Sequence, residues 1–78
     1  MCKFINGLCN RNGISCEFIG EKDCCYMYFK LTDNTVDIRN HNTIEVVVDK
    51  YDWFRDTSVV KQIFVRRVNQ LINRRGEC

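Results

Sequence analysis

Six cysteines (Cys2, Cys9, Cys16, Cys24, Cys25, Cys78) and one histidine, His41, are the residues best suited to nucleophilic, redox or metal chemistry. A Cys–His pair can activate a thiolate, and Cys24 with His41 is the one such pair that a folded sheet would bring to the same end. A lone histidine in the loop "RNHNT" is more simply a turn residue, so no catalytic residue is assigned. A tetrahedral zinc site needs ligands at fixed short spacings. No C-x2-C pair exists, and adjacent Cys24 and Cys25 would point to opposite faces of a strand. No metal or cofactor is expected, and there is no glycine-rich phosphate loop. An even cysteine count in a short chain also fits a disulfide framework. The N-terminal "MCKFINGLCNRNG" lacks the apolar core and cleavage site of a secretion signal, so reduced thiols in a cytoplasmic protein are expected.

The other chemistry-bearing set is basic. Residues 1–50 hold six basic and seven acidic groups, while residues 51–78 hold six basic and three acidic. The excess falls on "VVKQIFVRRVNQLINRR" (59–75). At about 100° per residue, Trp53, Phe54, Val60, Phe64, Val65, Val68, Leu71 and Ile72 fill one arc of about 140°. Arg66, Arg67, Gln70, Asn73 and Arg74 lie opposite, flanked by Val59 and Ile63. A solvated helix face asks for charge but not for an apolar edge, and apolar residues beside arginines are a protein-contact pattern.

The elements that would position these residues follow from periodicity. Phe4, Ile5, Leu8 and Cys9 predict a short helix over 2–12, stopped by Gly13. Period-two runs predict strands at 14–19, 24–31, 36–39 and 43–49, with turns in "GEKD", "TDNT" and "NHN". Closing these loops sets Ile14 opposite Phe29, Cys16 opposite Met27 and Phe18 opposite Cys25. It also sets Leu31 opposite Val36, Phe29 opposite Ile38, Ile38 opposite Ile44 and Val36 opposite Val46. Helical spacing returns from Asp52, with a break expected near Thr57 and a stop at Gly76. The fold class is α+β: one antiparallel meander of three to four strands, a short N-terminal helix and a long C-terminal helix covering one face (α-β-β-β-β-α), in a single domain over residues 1–78.

The uncovered sheet face would then carry Ser15, Glu17, Ile19, Cys24, Tyr26, Tyr28, Lys30, Asp37, Arg39, Thr43, Glu45 and Val47. That register pairs Tyr28 with Arg39 and Lys30 with Asp37. Aromatics beside cations suit base stacking or a protein anchor. The candidate contact residues are therefore Ile63, Arg66, Arg67, Gln70 and Arg74 on the helix, and Tyr26, Tyr28, Lys30 and Arg39 on the sheet.

The opening "CKFINGLCNRNGISCEFI", a short helix and "NG" before a meander, resembles the double-stranded-RNA-binding fold and the related HicA-type toxins. Where those toxins place a histidine early in the sheet, this chain has "EKDCC"; where the RNA-binding domains place lysines at the second helix, it has "DTSVV". The whole layout, one sheet with flanking helices in a short chain, resembles the small phage-encoded anti-CRISPR inhibitors. That resemblance implies a non-enzymatic phage or mobile-element protein that docks on a nucleic-acid-processing host protein and blocks it sterically. The alternative is a small RNA- or DNA-binding domain. No membrane is implied, since no apolar run approaches a spanning length. A second copy of the chain as partner, giving a homodimer, is compatible with the sequence. Mass spectrometry of protein isolated without oxidants should find no intramolecular disulfide. Two or more bridges would overturn both the reduced-thiol and the cytoplasmic expectations.

Overall fold

The computed structural model describes residues 2–37, 39 and 42–75, and of Cys2 only the backbone. Its elements run α1 (Cys2–Arg11), β1 (Ile14–Lys22), β2 (Tyr26–Asp33), β3 (Thr43–Asp49), α2 (Lys50–Arg55) and α3 (Thr57–Arg74). The three strands form one antiparallel sheet in the order β1-β2-β3, and the helices lie on one of its faces. The α+β class and the meander are as the sequence predicts, with three strands and with the final helical stretch divided in two.

The predicted register is corrected. Ile14 pairs with Asp33, Cys16 with Leu31 and Phe18 with Phe29, four residues along β2 from the expected partners. The reason lies in Gly20. It sits within β1, where the register shifts between Phe18 and Gly20, so the glycine serves a β-bulge and not a turn. Strand β1 therefore continues to Lys22. The chain reverses at Asp23 and Cys24, both at φ 58°, the left-handed region that tight hairpin turns require. Cys25 ends in this exposed turn, so its predicted place on the inward face is wrong. The four-residue shift is even, so Ile14, Cys16, Met27, Phe29, Leu31, Ile44 and Val46 keep their inward side.

The predicted strand at 36–39 does not form among its described residues. Asp33 instead starts a local turn, accepting hydrogen bonds at its carboxylate from the Thr35 N–H (3.0 Å) and hydroxyl (2.6 Å). Ile38 lies outside the described residues. The partners assigned to 36–39 fall to β3: Leu31 pairs with Ile44 and Phe29 with Val46.

The core joins all layers: Ile5 and Cys9 of α1, Ile14 of β1, Phe29 and Leu31 of β2, Val46 and Val48 of β3, and Val60, Phe64, Val68 and Leu71 of α3. Phe29 is its aromatic centre, with Trp53 stacked at 5.4 Å, Phe64 edge-on at 5.3 Å and Phe18 tilted at 5.3 Å. The predicted helical arc is right at Val60, Phe64, Val68 and Leu71 but not at Phe54 and Val65, which are exposed. The break at Asp56 explains Phe54, because a helix that stops and restarts loses its angular phase, whereas Val65 stands at the outer rim of the arc, turned away from the sheet. Asp49 caps α2 by accepting from the Tyr51 N–H at 2.8 Å. Gly13 ends α1 at φ 69°, and a Cβ there would meet Thr35 Cγ2 at 2.8 Å.

Phe64 is fully buried, and Phe64→Ala removes a core side chain at a cost of roughly 3–5 kcal/mol. A domain of this size holds on the order of 5 kcal/mol, so the variant should be largely unfolded by circular dichroism. Arg67→Ala, on the other side of α3, should melt close to wild type. Equal melting temperatures would show the helix faces to be misassigned.

Candidate interaction surface on the third helix and the outer sheet edge

The arginines of the C-terminal region divide into two groups by what lies beneath them. Arg75, just past α3, reaches back to the end of β2. Its Nε donates to Asp33 Oδ2 at 2.6 Å and its Nη2 to Asp33 Oδ1 at 3.0 Å, a bidentate pair, while Nη2 also donates to the Asn12 carbonyl oxygen. Asp33 is 1% exposed. Burial pushes its carboxyl up, but the Arg75 guanidinium and the Thr35 hydroxyl and N–H together outweigh burial and hold it below the usual carboxylate range. Arg74 donates to the Thr43 carbonyl oxygen at 3.4 Å, so it is partly engaged with the start of β3.

Arg66 and Arg67 sit mid-helix, and neither forms an ion pair among the described residues. Arg67 Nη1 donates to Gln70 Oε1 at 3.1 Å, which orients the guanidinium without neutralising it. With Val47, Ile63 and Gln70 they line a groove of about 320 Å³ between α3 and β3. Across the ridge of Arg66 and Gln70 a wider, open depression of about 700 Å³ runs over Phe4, Lys61, Val65 and Asn69. Lys61 Nζ lies 5.2 Å from the Phe4 ring centre in this second depression. Ile63 does two jobs: half-buried, it packs on the core and also lines the narrower groove.

On the outer sheet face Tyr26 is exposed, Tyr28 is half-buried, and Lys30 is exposed between Glu17 and Glu45 on the flanking strands. Lys22 Nζ stands 5.8 Å from the Tyr28 ring centre. The predicted Tyr28–Arg39 and Lys30–Asp37 pairs do not form: Tyr28 faces Val47 and Lys30 faces Glu45. Arg39 is in the loop after β2, where its N–H and guanidinium both bond to Asp37, and it leaves the candidate sheet surface. Val47 joins the two candidate regions, because it neighbours Tyr28 on the sheet and also lines the arginine groove. Sequence reasoning placed Val47 on the outer face but not in that groove. Its position on an edge strand that the last helix must cross is the signal that finds it.

Of the nucleophile candidates, Cys24 lies exposed in the turn before β2, and His41 lies outside the described residues. Cys9 and Cys16 are joined by a side-chain hydrogen bond, which lowers the Cys9 thiol against the raising effect of burial. Among the described residues there is no group of three or more metal-ligating side chains, and no helix is long and apolar enough to cross a membrane. No family model, curated protein or solved structure matches the chain.

The Asp33–Arg75 bridge makes stability depend on pH. A carboxyl held below its unfolded-state range contributes stability fully above that range, and loses it as pH falls through the folded value. Arg75→Gln leaves a buried carboxylate without its cation. It should cost about 3–5 kcal/mol at neutral pH, whereas Arg74→Gln should cost well under half as much. Asp33→Asn should narrow the gap to wild type as pH falls from neutral through the carboxylate range. Thermal melts across that range check both, and a gap independent of pH would show that the bridge carries no charge.

Proposed function

We propose that this chain is a non-enzymatic binding module that docks on a protein partner through the arginine side of α3. Its target class would be a nucleic-acid-handling effector of a host cell, which it would inhibit by occupation. The observation that carries the reading is the pair Arg66 and Arg67. They lack an acidic partner among the described residues, and they stand beside Val47 and Ile63 in a groove. Fold stability does not explain them, since the bridge to Asp33 belongs to Arg75. A desolvated arginine beside apolar contacts is the kind of residue that anchors an interface. The anti-CRISPR-like layout supports the choice of target class, and the phage origin belongs to the same proposal.

Direct nucleic-acid binding is the second reading, favoured by Lys22 over Tyr28 next to the arginine groove. Salt separates the two, because phosphate contacts release counterions and give steep slopes. The test is a pull-down from host lysate, with and without nuclease, using wild type, Arg66→Glu/Arg67→Glu and Tyr28→Ala as bait. A protein retained after nuclease and weakened at least tenfold by the double reversal is expected, with melting unchanged. Loss only with Tyr28→Ala would move the working surface to the sheet, and loss on nuclease treatment would favour nucleic acid.

A further inference from the structure

The backbone of β3 carries an unfilled hydrogen-bonding edge beside these arginines. In an antiparallel ladder, alternate residues turn both N–H and C=O toward one neighbour. Asp33 N–H donates to the Asn42 carbonyl oxygen at 2.8 Å, and Lys50 N–H donates to the Cys25 carbonyl oxygen at 2.9 Å. Both bonds fit the β2–β3 register, so Asn42, Ile44, Val46, Val48 and Lys50 bond toward β2. Thr43, Glu45 and Val47 therefore point their backbone groups away from the sheet. Arg74 takes the Thr43 carbonyl. The N–H groups of Thr43, Glu45 and Val47 and the carbonyls of Glu45 and Val47 have no bonding partner among the described residues.

The two sheet edges are unlike. Strand β1 is interrupted by its bulge at Gly20, a device that spoils an edge for further pairing. Strand β3 keeps an unbroken register along its length, with neither bulge nor proline. Its open side is walled by Arg66, Arg67 and Gln70.

We propose that the β3 edge is a strand-addition site for an extended, acidic segment of a protein partner, an inference that rests on the protein-docking reading of the arginine groove. Main-chain bonds to Glu45 and Val47 supply the affinity of such an added strand, and side chains at alternate positions supply its specificity. Side chains on the helix side of the added strand meet Arg66 and Arg67, so carboxylates belong there. Side chains on the outer side lie next to Glu45, so neutral residues belong there. A second copy of the chain is a poorer occupant. Antiparallel β3–β3 pairing about a two-fold axis would bring two Arg66–Arg67 pairs toward one another with no intervening acid.

The probe is a labelled peptide of alternating glutamate and threonine, read by fluorescence anisotropy and by amide hydrogen exchange. Binding is expected, with new protection at the Glu45 and Val47 amides. The same peptide N-methylated at alternate amides should bind at least tenfold more weakly, and a lysine–threonine peptide should not bind. Val47→Pro removes an edge donor that β2 does not use, so it should fold and lose at least tenfold in binding. Glu45→Pro repeats the test at the second position, and the methylated peptide needs no variant. Arg66→Glu/Arg67→Glu should also lose at least tenfold. If N-methylation leaves binding unchanged while the charge reversal abolishes it, strand addition is overturned and the arginine surface stands. Absence of peptide binding overturns strand addition, and retention of the lysate partner by the wild-type bait would still leave the docking reading intact. Displacement of the peptide by duplex RNA, with Val47→Pro silent, would assign the groove to nucleic acid. A dimer in sedimentation that Val47→Pro makes monomeric would assign the edge to a second copy.

Discussion

A carboxylate buried to 1% exposure stays ionised only if a cation and hydrogen-bond donors replace the water it has lost, and the fold is organised around meeting that need at Asp33. Arg75 supplies the cation and Thr35 two donors. The same guanidinium bonds the Asn12 carbonyl after α1, so one side chain ties together the end of β2, the end of α1 and the end of α3. With that end of α3 fixed, Val60, Phe64, Val68 and Leu71 face the sheet, and Arg66 and Gln70 are carried to the outside.

In the middle of the sheet the constraint is aromatic. Phe29 takes Trp53 on one side and Phe64 on another, so α2 and α3 are both referenced to the same strand residue. Two helices sharing one anchor need a break between them, and Asp56 provides it. The cost is visible at the surface. Tyr51 and Phe54 of α2 remain exposed because a six-residue helix can turn only Trp53 fully toward the ring cluster.

The side chains' faces were far more legible in the sequence than their partners. Period two survives an even slip, so Ile14, Cys16, Phe29, Leu31 and Val46 keep their side although every predicted β1–β2 partner is displaced. Gly20 misleads because glycine serves turns and bulges alike, while Asp23 and Cys24 reverse the chain without the Asn-Gly or Asp-Gly pair that would announce it. The stretch "VDIR" reads as a strand by composition, yet Asp33 bonds forward to Thr35 and diverts the chain before pairing can start. Helix α3 is legible because it is long and amphipathic. The role of Arg75 is not, since its partner stands 42 residues away and no local pattern couples them. One signal was available: Asp33 continues the inward sequence of Phe29 and Leu31, and an acidic residue in that series requires a cation from elsewhere.

The division among the arginines follows from where the sheet keeps its acids. Among the described residues the inward face carries a buried carboxylate only at the Asp33 end, which an arginine leaving the last turn of α3 reaches. The middle of that face is Phe29, Leu31, Val46 and Val48, which offers a mid-helix guanidinium nothing to bond. Arg66 and Arg67 therefore have to turn outward, toward the flank of β3, where alternation directs the spare N–H and C=O groups of Glu45 and Val47. Charge and unfilled backbone meet along one line because the same apolar middle that builds the core excludes the arginines, while among the described residues no strand pairs with the outer side of β3. A partner segment able to answer both would replace the water on that edge and neutralise the groove in a single contact.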